Sequence, residues 1–164
     1  MTLGRDSAAA VLLFSLAALA AAYTAQFVFG LQPCALCLYQ RIPYFVAAAV
    51  AFALLLWRPD VRTTSWLLAI CGLAFAVNGG IALFHVGVEQ HWWQGLASCS
   101  GGTRGAGSVD DLMAQLSKPV TVASCDQVSW SLFGVSMAGY NFLASIGLTG
   151  FAFRVAFRGA RPAP

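Results

Sequence analysis

Four apolar runs dominate the chain, from about Ala8 to Phe29, Leu38 to Trp57, Thr64 to His85 and Leu132 to Phe157. Each is long enough for a helix that crosses a hydrocarbon core, which takes roughly 20 residues. The last run exceeds that length and is expected to emerge before its end. Polar punctuation separates the runs. "RPDVRTT" is a short connection turned by Pro59, and "GLQPCALC" is another, with Pro33 ahead of two cysteines and the helical pattern resuming at once. Between the third and fourth runs, from about Val86 to Ser131, the chain is far longer than a turn requires, and a loop of that length commonly carries function. It holds the flexible "SCSGGTRGAGS" and then "SVDDLMAQLSKP". The second stretch predicts a short helix, with Ser108 as N-cap, Asp110 and Asp111 in the first turn and Pro119 beyond the end. Val109, Leu112, Met113 and Leu116 share one face. With no soluble core nearby, that face is expected on the bilayer surface. Nothing repeats. The pattern predicts a single domain over residues 1–164, an all-α membrane four-helix bundle whose long second outer loop carries a short amphipathic helix.

Composition agrees with that pattern. Of 164 residues 59% are hydrophobic and only 9% charged, and the mean hydropathy is +0.74. A soluble domain of this size needs more charge to cover its surface. Arg5 and the small residues of "ALAAAYTA" would also suit a cleaved signal peptide for the first run. That run is long for such a segment and three more follow, so the reading is a retained helix. The net charge of +3 is too small to indicate a nucleic-acid partner. Its distribution says more. Arg5, Arg58, Arg62, Arg154, Arg158 and Arg161 all fall at the N-terminus, the connection between helices two and three, or the C-terminal end. Those regions share one side of a four-helix topology, and an excess of basic residues marks the cytoplasmic side. Glu89, Asp110, Asp111 and Asp126 fall on the other. Both termini are therefore expected in the cytoplasm, with Cys34, Cys37, Cys99 and Cys125 facing outward. In a bacterium that compartment is oxidising.

The outward cysteines are the candidate chemistry. Cys34 and Cys37 suit a disulfide, half of a zinc site or a redox pair. Zinc would want two further Cys or His ligands, usually a second closely spaced pair, and no second Cys-x-x-Cys exists. Cys37 is predicted near the outward N-terminus of helix two, where free backbone N–H groups favour an anion. Arg41 is one turn on, within reach of a thiolate at Cys37 or of an anionic ligand beside it. A charge at the edge of a span is a functional signal unless it merely snorkels to lipid phosphates. Cys99 and Cys125 would, as a purely structural disulfide, close the long loop. Cys99 lies among small, flexible residues and is expected to be the one a visiting thiol reaches, while Asp126 beside Cys125 opposes a thiolate there. Cys71 reads as a buried apolar residue. His85 and His91 bracket the outer end of helix three, where His85 could reach a bound cofactor, and Trp92 and Trp93 read as interfacial belt residues. Two outward pairs, one at the bilayer edge, suggest electron relay from a soluble partner to a lipid-soluble acceptor, for which a quinone is the available choice. A vitamin K epoxide reductase-like enzyme and a membrane scaffold or small transporter with structural disulfides are the competing readings.

"PCALCLYQR", the outer pair Cys99 and Cys125, and "CDQVSWSLFGVSMAGYN" together resemble the disulfide bond formation protein B (DsbB) family of membrane thiol:quinone oxidoreductases. The likeness covers nearly the whole chain. It implies an inner-membrane enzyme that reoxidises a periplasmic thioredoxin-fold oxidase of the DsbA type and passes the electrons to ubiquinone or menaquinone. By resemblance, Cys99 forms the mixed disulfide with the partner and Cys125 is its loop partner. Cys34 then exchanges with the loop cysteines, Cys37 faces the quinone, and Arg41 supports the quinone. The stretch "HVGVEQHWWQGLASC" is tighter than in some relatives, which leaves the role of the histidines open.

Overall fold

The computed structural model describes residues 2–96, 99, 113 and 123–159. Four long helices appear among them. They are α1 Thr2–Phe27, α2 Ala35–Trp57, α3 Val61–Glu89 and α4 Met137–Gly159, with a small hairpin of β1 Ser131–Leu132 and β2 Val135–Ser136 before α4. By length and composition, three helices can cross a membrane: Gly4–Phe27, Ala35–Trp57 and Val61–Glu89. α4 has the same 23 residues as α2, but Tyr140, Asn141 and Arg154 dilute its apolar character. Of the expected loop helix, Val109, Leu112 and Leu116 lie outside the described residues.

Local chemistry sets each boundary. After α1 the chain turns at Gly30, whose φ of 67° suits a residue without Cβ. Cys34 then caps α2, its Sγ accepting from Cys37 N at 3.2 Å. α2 ends on Arg58 in the left-handed region, whose N–H donates to Leu54 O. Asp60 starts α3 by accepting from the N–H groups of Arg62 and Thr63. These interactions, with the Thr63 hydroxyl as the largest, hold its carboxyl below the usual range.

One expectation fails. The fourth apolar run was expected to turn helical at Leu132, yet helix begins only at Met137. Phe133 and Gly134 both take positive φ, 50° and 78°, the pairing of a two-residue hairpin turn. Hydropathy cannot register that reversal, because Leu132, Phe133 and Val135 are as apolar as a helix start. The reversal lays Trp130 and Leu132 beside the end of the bundle where α2 begins.

The bundle closes around Val11, Tyr44, Leu68, Phe75 and Leu148. α3 and α4 pack along their length, where Gly72 meets the Phe153 ring and Gly79 meets Ser145. α1 lies on α2 and touches α4 little. Phe14, Phe52, Trp66 and Leu143 are exposed on the outside, a surface suited to lipid and costly in water. The sparse α1–α4 contact leaves a cleft in the wall of the bundle.

Candidate active site

The site lies at the end of the bundle where α2 begins and α3 ends. As an N-cap, Cys34 is fixed at the mouth of α2, and Cys37 follows on its first turn. Both are free thiols, with sulfurs 2.8 Å apart. Cys99 and Cys125 form a disulfide. Cys34, Cys99 and Cys125 pack into one buried cluster with Leu36 and Val88, and Cys37 lies against it. Residues far apart in sequence, on the loop and at the start of α2, thus meet as one sulfur cluster. Cys37 beside it, and burial, push the Cys34 thiol well above its ordinary range.

Cys99 differs from its expected accessibility. Its side chain is 3% exposed and Cys125 is fully buried. Approach is instead offered by a cavity of about 500 Å³ bordered by Trp92, Trp93, Leu96, Cys99 and Asp126. Trp93 is set by its indole N–H, which donates to Phe84 O at 2.9 Å, and by stacking on Phe84. His91, at φ 58°, is exposed on the same wall. Cys71 is fully buried between helices, as its position in the third run predicts.

His85 is buried beside the sulfurs and lines the cavity that Cys37 and Arg41 border. Its Nε2 is 3.5 Å from Cys34 Sγ and 3.8 Å from Glu89 Oε1. Gln40 Nε2 lies 3.0 Å from its Nδ1. Glu89 in turn accepts from the Ser136 hydroxyl. Cys34, Cys37 and His85 each offer one donor atom, all within 4.8 Å of one another. The fold supplies that trio; counting cysteine pairs along the sequence does not.

A second cavity, of about 490 Å³, opens in the α1–α4 cleft. Alanines of α1, including Ala18, Ala22 and Ala25, form one wall; Cys37, Arg41 and Asn141 bring polar atoms to the others. Size and lining match a small-molecule site, mostly apolar with few convergent polar groups. Arg41 is anchored on α1. Its Nη1 donates to Gln26 Oε1, and its guanidinium carbon sits 4.6 Å from the Tyr23 ring centroid. Its buried Nε finds no partner among the described residues. A buried donor left unpaired is costly, and Arg41 borders the cavity.

Residues 4–155 match the family model described as disulfide bond formation protein DsbB. The chain belongs to the DsbB family. It is 32% identical over 134 residues to the disulfide bond formation protein B of Hahella chejuensis, covering 78% of each chain. The namesake from Verminephrobacter eiseniae is 33% identical over 168 residues, covering 95% of this chain and 91% of its own. That of Methylococcus capsulatus is 31% identical over 153 residues, covering 85% and 86%. No solved structure matches the chain. The protein is thus a DsbB-family membrane protein of disulfide formation, and an oxidoreductase by that membership.

Sequence reasoning passed over Gln40, Asn78, Glu89, Ser136 and Asn141. Gln40, Asn78 and Asn141 are uncharged, so a search for ionisable residues within the spans stops at Arg41. A polar side chain inside an apolar span is itself the signal, because it must find a partner there.

Proposed function

We propose that this DsbB-family protein reoxidises a periplasmic DsbA-like thioredoxin-fold oxidase and delivers the electrons to a membrane quinone, ubiquinone or menaquinone. The observation that carries this reading is the single sulfur cluster formed by Cys34, Cys99 and Cys125, with Cys37 bordering an apolar cavity beside Arg41. In this reading both termini are cytoplasmic and the cluster faces the periplasm.

The chemistry is a chain of exchanges. A partner thiolate attacks Cys99, the Cys99–Cys125 bond breaks, and the partner departs oxidised once its second thiol displaces Cys99. The loop dithiol then attacks Cys34 of an oxidised Cys34–Cys37 pair, and Cys37 leaves as a thiolate. The second loop thiol restores Cys99–Cys125, leaving the two electrons on the Cys34–Cys37 dithiol. A quinone in the α1–α4 cavity would supply the two-electron, two-proton acceptor. Arg41 holds its cation over Tyr23 at the border of that space, where negative charge develops. The apolar α1 wall excludes water, which strengthens that interaction.

The test is anaerobic incubation of the purified protein with ubiquinone and a reduced thioredoxin-fold partner. Partner disulfide should form in step with quinone reduction, and Cys37→Ser should abolish both. A partner that stays reduced while quinone is present overturns the reading.

A further inference from the structure

His85 is held on both sides of its ring. On the Nδ1 side runs a chain of amides from three helices, Gln40 and Asn78 buried and Asn141 half-buried. Tyr44 OH donates to Asn141 Oδ1 at 2.6 Å, and Asn78 Nδ2 donates to the same oxygen at 3.2 Å and to Ser145 Oγ at 2.9 Å. Asn141 Nδ2 then donates to Gln40 Oε1 at 2.6 Å, which leaves Gln40 Nε2 facing His85 Nδ1 at 3.0 Å.

The direction of that chain decides the state of the ring. Reversing every amide would leave the Asn78 NH₂ without these acceptors and would take Asn141 Oδ1 away from the Tyr44 hydroxyl. In the observed direction only a carbonyl oxygen, Asn78 Oδ1, lacks a partner among the described residues. Buried donors without acceptors are rarer than under-satisfied carbonyls. The chain therefore ends in an N–H aimed at Nδ1, which must accept. Nε2 asks for the same state independently. It faces the Glu89 carboxyl, itself accepting from Ser136, and the Cys34 sulfur. Nε2 needs a proton to satisfy these groups.

We infer that the Tyr44/Asn78–Asn141–Gln40 chain locks His85 as the neutral Nε2–H tautomer, making it a hydrogen-bond donor to Cys34 rather than a base or a ready metal ligand. Gln40 and Asn141 are then positioning residues, acting on Cys34 through His85. The consequence for exchange rests on the thiol–disulfide reading above. When one loop thiolate attacks the other in its mixed disulfide with Cys34, the Cys99–Cys125 bond forms and the bond to Cys34 breaks. The electron pair departs on Cys34 Sγ, and the attacking thiolate's charge departs with it. A thiol of high pKa is a slow leaving group, and Cys37 with burial pushes the Cys34 thiol up. The Nε2–H meets the charge as it forms.

The test is nitrogen NMR of the full-length protein labelled with ¹⁵N-histidine in detergent, without quinone or partner. There are two histidines, so His91→Gln assigns the signals. Wild type should show a protonated Nε2 and a bare Nδ1 at His85. Gln40→Glu, which offers Nδ1 an acceptor, should move the proton to Nδ1 or make the ring cationic. A second readout is acid-quench trapping after addition of a reduced partner. In Gln40→Glu, Cys34–Cys37 thiols should appear about 10-fold more slowly or worse, the factor one charge-assisted hydrogen bond represents. A wild-type Nδ1–H or cationic ring overturns the inference, as does a Gln40→Glu protein with unchanged tautomer and trapping rate. If Gln40→Glu does not fold, the wild-type spectrum alone decides. The tautomer is read without turnover, so its failure and failure of the thiol:quinone reading are separate results.

Discussion

Arg41 Nη1 donates a 2.8 Å hydrogen bond to Gln26 Oε1, tying the first turns of α2 to the last turn of α1. The guanidinium also lies over Tyr23 of α1, a cation–π contact that strengthens away from water. A snorkelling arginine would extend into the headgroups. This one is bound inward, against the wall of the α1–α4 cavity.

From that arrangement, Arg41→Ala should raise the apparent quinone KM by about 10-fold or more, the worth of a hydrogen bond from a charged donor. It should also weaken any visible absorption that develops when quinone meets Cys34→Ser protein. Arg41→Lys should recover only part, because an ammonium lacks both the planar fork and an Nε donor. Gln26→Ala should give a smaller KM increase, since Tyr23 still orients the cation. Quinone titrations of the four proteins check this, and an unchanged KM in Arg41→Ala would return Arg41 to a lipid-anchoring role.

Much of this fold is written in the spacing of apolar runs. Four runs give four long helices, and the basic residues group by connection. The ends of the runs are less legible. Hydropathy carries the fourth helix back to Leu132 because it counts side chains and not φ, whereas Phe133 and Gly134 reverse the chain there. The cysteines stand out by residue type and spacing, and Arg41 by its charge in an apolar setting. Glu89 is one turn from His85 on α3, a spacing the sequence does carry. Gln40 and Asn141 become meaningful only when α2 and α4 bring them to His85. Nothing in linear spacing links positions so far apart.

The charge distribution makes a topology prediction that can be tested directly. Single cysteines placed at Arg58 or Arg62, or near the C-terminus, in protein whose native cysteines are replaced by serine should be shielded from a membrane-impermeant maleimide in intact cells. A cysteine placed at Gln94 should react. Labelling of the C-terminal site from outside would put the sulfur cluster in a reducing compartment and remove the basis for its proposed chemistry.

The two loop cysteines should behave unequally with the partner. In Cys125→Ser, Cys99 loses the sulfur that would reclaim it, so a partner carrying one thiol should accumulate as a covalent complex through Cys99 once that bond is formed with an oxidant. Cys99→Ser should trap far less, because Cys125 is fully buried while Cys99 borders the open cavity beside Trp92 and Trp93. Non-reducing gels with peptide mapping distinguish the two. Equal trapping through Cys125 would reverse the assignment.

Ser136 joins the hairpin to α3 and starts α4, so its loss should cost more than a surface serine. Its hydroxyl donates to Glu89 Oε2 and accepts from Gly139 N at 3.1 Å. The second contact is an N-cap, worth about 1 kcal/mol when replaced by alanine. The first satisfies a carboxyl in a buried residue, and an unpaired group of that kind costs about 1–3 kcal/mol. Ser136→Ala should therefore destabilise the protein by about 2–4 kcal/mol, whereas Ser136→Thr should retain most of both contacts. Combining Ser136→Ala with Glu89→Leu removes the orphaned carboxyl as well, so the pair should cost less than the two single losses added together. Denaturation in detergent, followed for the wild type and the variants, gives the coupling. Strict additivity would mean that Glu89 finds its support elsewhere, through His85, and that the hairpin is held by the Trp130–Tyr140 packing and the Tyr140 hydroxyl's hydrogen bond to Leu132 O.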